Sequence, residues 1–160
     1  MSTLESKVAD FLAQKRIAVV GVSRNKPGAA SLIYHKLKEA GYQVFAVNPN
    51  ASTFEGDVCY HDVKSIPSLV DGVVIVTRPS LTEEVVRQCA DAGVSRVWMH
   101  QSIGSGATSV SEEAAKFCRD HSITVIAGAC PMMFCQPVDF GHKCMRFFLG
   151  LSGAVPKQFA

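Results

Sequence analysis

Apolar residues fall into short unbroken runs along this chain, separated by stretches in which they recur every three or four positions. The runs at 17–20, 42–47, 72–77, 94–99 and 123–127 have the length and composition of buried strands. Those at 17–20 and 73–76 contain no polar residue, as expected of parallel strands covered on both faces. Between the runs, helical spacing predicts helices over 29–40, 81–92 and 110–121, with a shorter one around "VKSIPSLV" at 63–70. Ala30, Ile33, Leu37 and Ala40 are spaced 3, 4 and 3, which gives the first of these an apolar face. Gly41 and Gly93 follow their helices where a left-handed C-cap is expected. The opening "MSTLESKVADFLAQKR" reads as an amphipathic helix, with Ser2 and Glu5 as a capping box.

Strands alternating with helices specify right-handed βαβ crossovers and a doubly wound α/β fold. The expected architecture is a mostly parallel, five-stranded Rossmann-like sheet in the order 3-2-1-4-5, with the N-terminal helix packed outside. Residues 1–134 form the predicted domain and 135–160 a C-terminal extension. Its "MRFFLG" is apolar enough to dock on the domain or on a partner, in a homodimer or with another protein.

Composition narrows the classes. At 160 residues the chain suits one domain. Its formal net charge is +2 and its basic residues are scattered, so neither nucleic acid nor an anionic membrane is an expected partner. No apolar run reaches membrane-spanning length. The charged N-terminal segment is unlike a secretory leader, and the six cysteines read as reduced thiols, so the expected location is cytoplasmic.

In an open sheet of this kind, ligands bind outside the carboxyl ends of the strands, where strand order reverses. That edge collects "GVSRNKPG", "NPNAS", "TRPS", "HQSIGSG" and "GACPMM". In the first loop, Gly21 permits a sharp turn and Pro27 suits the first turn of a helix, whose N-terminus favours phosphate. Ser23 adds a hydroxyl, and Arg24 and Lys26 add charge. The second strand ends in the neutral "VNPN", where an NAD site carries a carboxylate for the ribose. Asn48 and Arg24 suit a ribose that bears phosphate, which favours a polyphosphate nucleotide over NAD.

These pieces, together with "FEGDVCYHDVKSIP", "DGVVIVTRPSLTEEVVRQCADAGVSRVWMHQSIGS" and "ITVIAGACPMM", resemble the CoA-binding domain family. Its members are small stand-alone proteins related to the N-terminal domain of the succinyl-CoA synthetase alpha subunit. The resemblance runs from about Phe11 to Phe134. It implies a CoA-type ligand across the strand ends, with Gly21, Val22, Ser23 and Arg24 holding the phosphates. Val47, Asn48 and Pro49 are then expected to border the adenosine, and Thr77, Arg78 and Pro79 the middle of the ligand. Gln101, Gly104, Cys130 and Pro131 are expected near the pantetheine end. This chain departs from many relatives in its longer "HQSIGSGA", and the extension beyond Met133 is not part of the shared pattern.

No catalytic set is expected. His100 has no identifiable orienting partner in the sequence, and no nucleophile elbow is present. Cys130 is a packing residue or a thiol facing the ligand's own. The spacing of Cys130, Cys135, His142 and Cys144 is loose for structural zinc, so no metal is expected. The expectation is therefore non-catalytic binding of CoA or acyl-CoA. An NAD(P)-linked oxidoreductase, or a CoA ligase subunit completed by another chain, is the alternative.

Overall fold

Alternation inside the central strands sorts their side chains onto two covered faces. In β1 (Arg16–Val20), Ile17 and Val19 belong to one buried cluster, and Ala18 and Val20 to the other. The computed structural model describes residues 3–102, 105–138 and 142–144. Its single sheet adds β2 (Gln43–Val47), β3 (Thr53–Phe54), β4 (Asp57–Tyr60), β5 (Gly72–Ile75), β6 (Arg96–Met99) and β7 (Thr124–Ala127). Strand order is β3-β4-β2-β1-β5-β6-β7, parallel throughout except for the antiparallel β3–β4 pair.

All five predicted strands form, but the sheet has seven and the order 3-2-1-4-5 is wrong. The third predicted strand, β5, pairs with β1 rather than β2, so the predicted five run 2-1-3-4-5. The cause is a hairpin in "TFEGDVCY". Glu55 and Gly56 both take positive φ, 50° and 87°, as a two-residue hairpin turn demands. β4 then lies parallel to β2, with Ala46 opposite Cys59, and occupies the flank that β5 was expected to fill. β5 takes the remaining edge of β1. Strand order therefore reverses between β1 and β5.

Among the described residues, four helices cover the sheet: α1 (Leu4–Leu12), α2 (Ala29–Glu39), α3 (Pro79–Asp91) and α4 (Glu112–Asp120). Val8 and Phe11 of α1 and Ala30, Ile33, Tyr34 and Leu37 of α2 pack on one face. Val85, Val86 and Cys89 of α3 and Ala114, Ala115 and Cys118 of α4 pack on the other. The cap of α1 is Thr3, not the predicted Ser2–Glu5 box. Its hydroxyl accepts from the Ser6 N–H at 3.1 Å, and the Ser6 hydroxyl donates back to the Thr3 carbonyl at 2.9 Å. No helix forms over 63–70. Asp62 and Ser65 close a turn there through bonds of 2.7 and 2.8 Å, and Pro67 withholds an N–H that a helix needs.

Burial continues past the predicted domain boundary, since Cys135 and Val138 are both buried. The "MRFFLG" segment lies outside the described residues. Among those described, no helix is long and apolar enough to cross a membrane.

Candidate functional site

The reversal of strand order between β1 and β5 opens a cleft at the carboxyl edge. Ala29, the first residue of α2, forms part of its wall, together with residues 76–79 after β5 and 105–109 after β6. The cleft encloses about 620 Å³. Arg78 is the cation among its described lining residues, while Arg24 and Lys26 of the first loop are not part of its wall; none of the five edge-loop sequences contains a carboxylate. Two helix N-termini add to this positive character. Gly28 caps α2 and Arg78 caps α3, and neither makes a side-chain cap bond; in α3 Pro79 has no N–H and the Leu81 N–H is bonded to the Arg78 carbonyl at 2.9 Å, so α2 offers the more open N-terminus.

The first loop is held by its own polar groups. The Ser23 hydroxyl accepts from the Lys26 N–H at 3.3 Å, while the Arg24 and Lys26 side chains stand exposed. Pro27 precedes the Gly28 cap instead of occupying the first helical turn. Gly21 serves the sheet more than the loop. Its φ is +105°, its N–H donates to the Val47 carbonyl at 3.0 Å, and an added Cβ would stand 2.1 Å from the Val76 carbonyl oxygen. Val22 and Val47 are 1 % and 2 % exposed, so both point into the core and offer the edge only backbone.

Asn48 clasps two loops together. Its amide nitrogen donates to the Val22 carbonyl at 2.6 Å, and its amide oxygen accepts from the Asn50 N–H at 2.8 Å. Pro49 beside it is exposed. Across the cleft, the Thr77 N–H donates to the Ser109 hydroxyl at 3.0 Å. The fully buried Thr82 hydroxyl donates to the Ser109 carbonyl at 2.7 Å and lies 3.2 Å from the Thr77 hydroxyl. Thr77, Arg78 and Pro79 all line the cleft.

The turn after β7 carries the last group. Gly128 and Ala129 both have positive φ, and their carbonyls accept from the Trp98 indole N–H at 3.0 and 3.3 Å. The Gln101 N–H also binds the Ala129 carbonyl at 3.1 Å, which fixes Gln101 against this turn with its side chain exposed. Cys130 and Pro131 follow, both buried, at the start of a short 3-10 turn (Pro131–Met133). Cys130 lines a smaller cavity that adjoins the cleft. Gly104 lies outside the described residues.

Sequence reasoning missed several residues that line these walls. Ser102, Ser105, Thr108 and Ser109 were legible as the hydroxyl-rich "SIGSGATS", but nothing showed which of them faces the cleft. Leu32 left no signal, because a single leucine on the outer side of α2 reads as an ordinary surface residue.

A doubly wound α/β sheet with a cation-bearing cleft at its switch point defines the class. Residues 15–136 match the CoA binding domain family, and the chain belongs to it. An ADP-forming acetate–CoA ligase II of Archaeoglobus fulgidus is 32 % identical over 114 residues, covering 69 % of this chain but 16 % of the ligase. The uncharacterised protein YneT of Bacillus subtilis is 27 % identical over 72 % of this chain and 82 % of its own length. Among solved structures, a hypothetical protein from Pyrococcus horikoshii is 30 % identical with a TM-score of 0.72, covering 81 % of this chain and 87 % of that one. The dinucleotide-forming acetyl-coenzyme A synthetase 1 of Ca. Korarchaeum cryptofilum is 27 % identical with a TM-score of 0.58, and the match covers 70 % of this chain and 25 % of the synthetase.

Proposed function

We propose that this chain is a binding module for CoA or an acyl-CoA, held across the carboxyl edge of the sheet, and that it catalyses no reaction by itself. The observation that carries the reading is the edge's electrostatics. Two helix N-termini without side-chain caps lie at this edge, Arg78 lines its cleft, and the five edge loops carry Arg24 and Lys26 besides and no carboxylate. Such an edge favours a ligand with several phosphates. Ser23, Arg24 and Lys26 hold the phosphates, with the Gly21–Val22 backbone beneath them and Pro27 directing the chain into α2. Val47, Asn48 and Pro49 border the adenosine. Thr77, Arg78 and Pro79 flank the middle of the ligand, and the thiol arm runs toward Gln101, Gly104, Cys130 and Pro131.

Calorimetric titration tests the ligand. CoA is expected to bind more tightly than NAD, because no carboxylate follows β2 to hold an unphosphorylated ribose diol. Tighter binding of NAD overturns the reading and restores an NAD-linked enzyme. Arg24→Ala is expected to weaken CoA binding by roughly 1–3 kcal/mol, the range of a charge-assisted hydrogen bond, and to leave thermal stability intact. Lost stability with unchanged affinity makes Arg24 a structural residue instead.

A second reading is a subunit of a CoA ligase completed by another chain. It is favoured by the small share of the Archaeoglobus ligase that this chain spans. Purification of the native protein at low salt tests it: a second chain in equal amount supports a ligase subunit, and its absence favours the binding module.

A further inference from the structure

Two cavities meet at His100. The cleft of about 620 Å³ is walled there by hydroxyls, among them those of Thr77, Ser102 and Ser109. The smaller cavity, about 220 Å³, is walled by Leu32, Cys130, Met132, Met133 and His142. Ala29, His100, Ser102 and Ser105 belong to both, so the two are continuous. Hydroxyls are concentrated along the larger compartment, and the smaller is the more apolar of the two, with methionine and cysteine sulfur in its wall.

His100 stands at their junction and is only 3 % exposed. Its backbone is committed, since its N–H donates to the Ile75 carbonyl and its carbonyl accepts from the Ser109 N–H. No described residue hydrogen-bonds its imidazole. No buried side-chain nitrogen in the described structure is sealed away without a partner, so the ring nitrogens open onto the cavity. An imidazole that no side chain satisfies and that opens onto a cavity offers its hydrogen bond to whatever occupies the cavity, water or ligand. Burial also holds its pKa below the ordinary histidine value, which keeps the ring neutral, with one N–H to donate, at neutral pH. Among the described residues, no lysine, arginine or carboxylate lines the smaller cavity.

Resting on the CoA reading above, we infer that the smaller cavity takes the uncharged acyl chain of an acyl thioester and that the His100 imidazole donates to the thioester carbonyl. The ligand class is therefore acyl-CoA with a neutral aliphatic acyl group. Free CoA leaves the apolar compartment and the His100 ring to water. A dicarboxylic acyl group buries a carboxylate where no cation meets it, which is costly.

Calorimetric titration with CoA, butyryl-CoA and succinyl-CoA tests this. Butyryl-CoA is expected to bind about tenfold tighter than CoA, from burial of the acyl carbons and one added hydrogen bond. Succinyl-CoA is expected to bind no tighter than CoA. Leu32 is 57 % exposed, so Leu32→Trp is tolerated by the fold while it narrows the apolar compartment. In that variant the acyl group is kept out of the compartment, so its burial and its bond to His100 are lost together and the ratio of butyryl-CoA to CoA affinity is expected to fall to about one. His100→Gln, which keeps a donor, retains part of the preference, and His100→Leu loses it. Equal affinities for butyryl-CoA and CoA in the unaltered protein overturn the acyl assignment while leaving the CoA reading standing. So does a preference that survives Leu32→Trp. Failure of all three ligands to bind overturns both.

Discussion

Gly21→Ala is expected to destabilise the protein by roughly 3–5 kcal/mol, the sum of backbone strain and overpacking. Gly21 has a φ of +105°, where a side chain is strained in any surroundings. The new methyl would also stand 2.1 Å from the Val76 carbonyl oxygen and 2.9 Å from its carbon. Neither atom is free to retreat, because the Val76 N–H is bonded to the Val20 carbonyl at 2.9 Å and Gly21 itself to Val47 at 3.0 Å. Relief therefore requires parting β1 from β5, the pair at the centre of the sheet. Gly28, in the same loop, provides the control. Its backbone is extended and the nearest atom to an added Cβ is 3.8 Å away, so Gly28→Ala costs at most about 1 kcal/mol, as a weakened helix cap. Urea unfolding of both variants checks this, and equal midpoints would falsify the steric account.

Trp98→Ala is expected to cost about 3–5 kcal/mol, as large aromatic truncations in a core do. Trp98 is fully buried in β6. The Phe11 ring meets it edge-on at 5.4 Å, which joins α1 to the sheet, and Phe134 lies 5.9 Å away. Gly72 makes this packing possible, since a Cβ there would come within 2.7 Å of the Phe11 ring. The indole N–H has a separate task, because it binds both carbonyls of the strained 128–129 turn. Trp98→Phe isolates that task. It keeps most of the packing and is expected to cost about 1–3 kcal/mol for the Gly128 carbonyl left unsatisfied, since the Ala129 carbonyl keeps the Gln101 N–H. Thermal unfolding separates the two, and a phenylalanine variant as unstable as alanine would show that the indole bond, not the packing, dominates.

The sequence made the strands and both faces of the sheet legible, because runs such as "IAVV" and "VVIV" carry burial in every position. It hid the strand order. β3 and β4 are two and four residues long, too short for alternation to register, and the Glu55–Gly56 turn that joins them looks like any loop. The candidate edge was legible for a similar reason, since five polar loops follow five apolar runs. Which groups on that edge face outward was not. Val22 and Val47 lie in candidate loops yet turn inward, and the Asn48 amide is occupied in joining two loops. Histidine 100 shows the limit most clearly. Its position at a strand end can be read from the sequence, but its burial at the junction of two cavities depends on α2 and on the 130–133 turn, which are distant in the chain.

The bonds among Thr77, Thr82 and Ser109 are made by the chain alone and join the end of β5, the first turn of α3 and the loop after β6. A wall built in this way has already lost most of the conformational freedom that an arriving molecule would otherwise have to suppress. Ordering a rotamer-rich side chain on binding costs about 0.5–1.5 kcal/mol, and threonine and serine held in place beforehand largely escape that cost. Discrimination between ligands at this wall then rests on whether a molecule matches a shape already set, with little help from the protein adjusting to it.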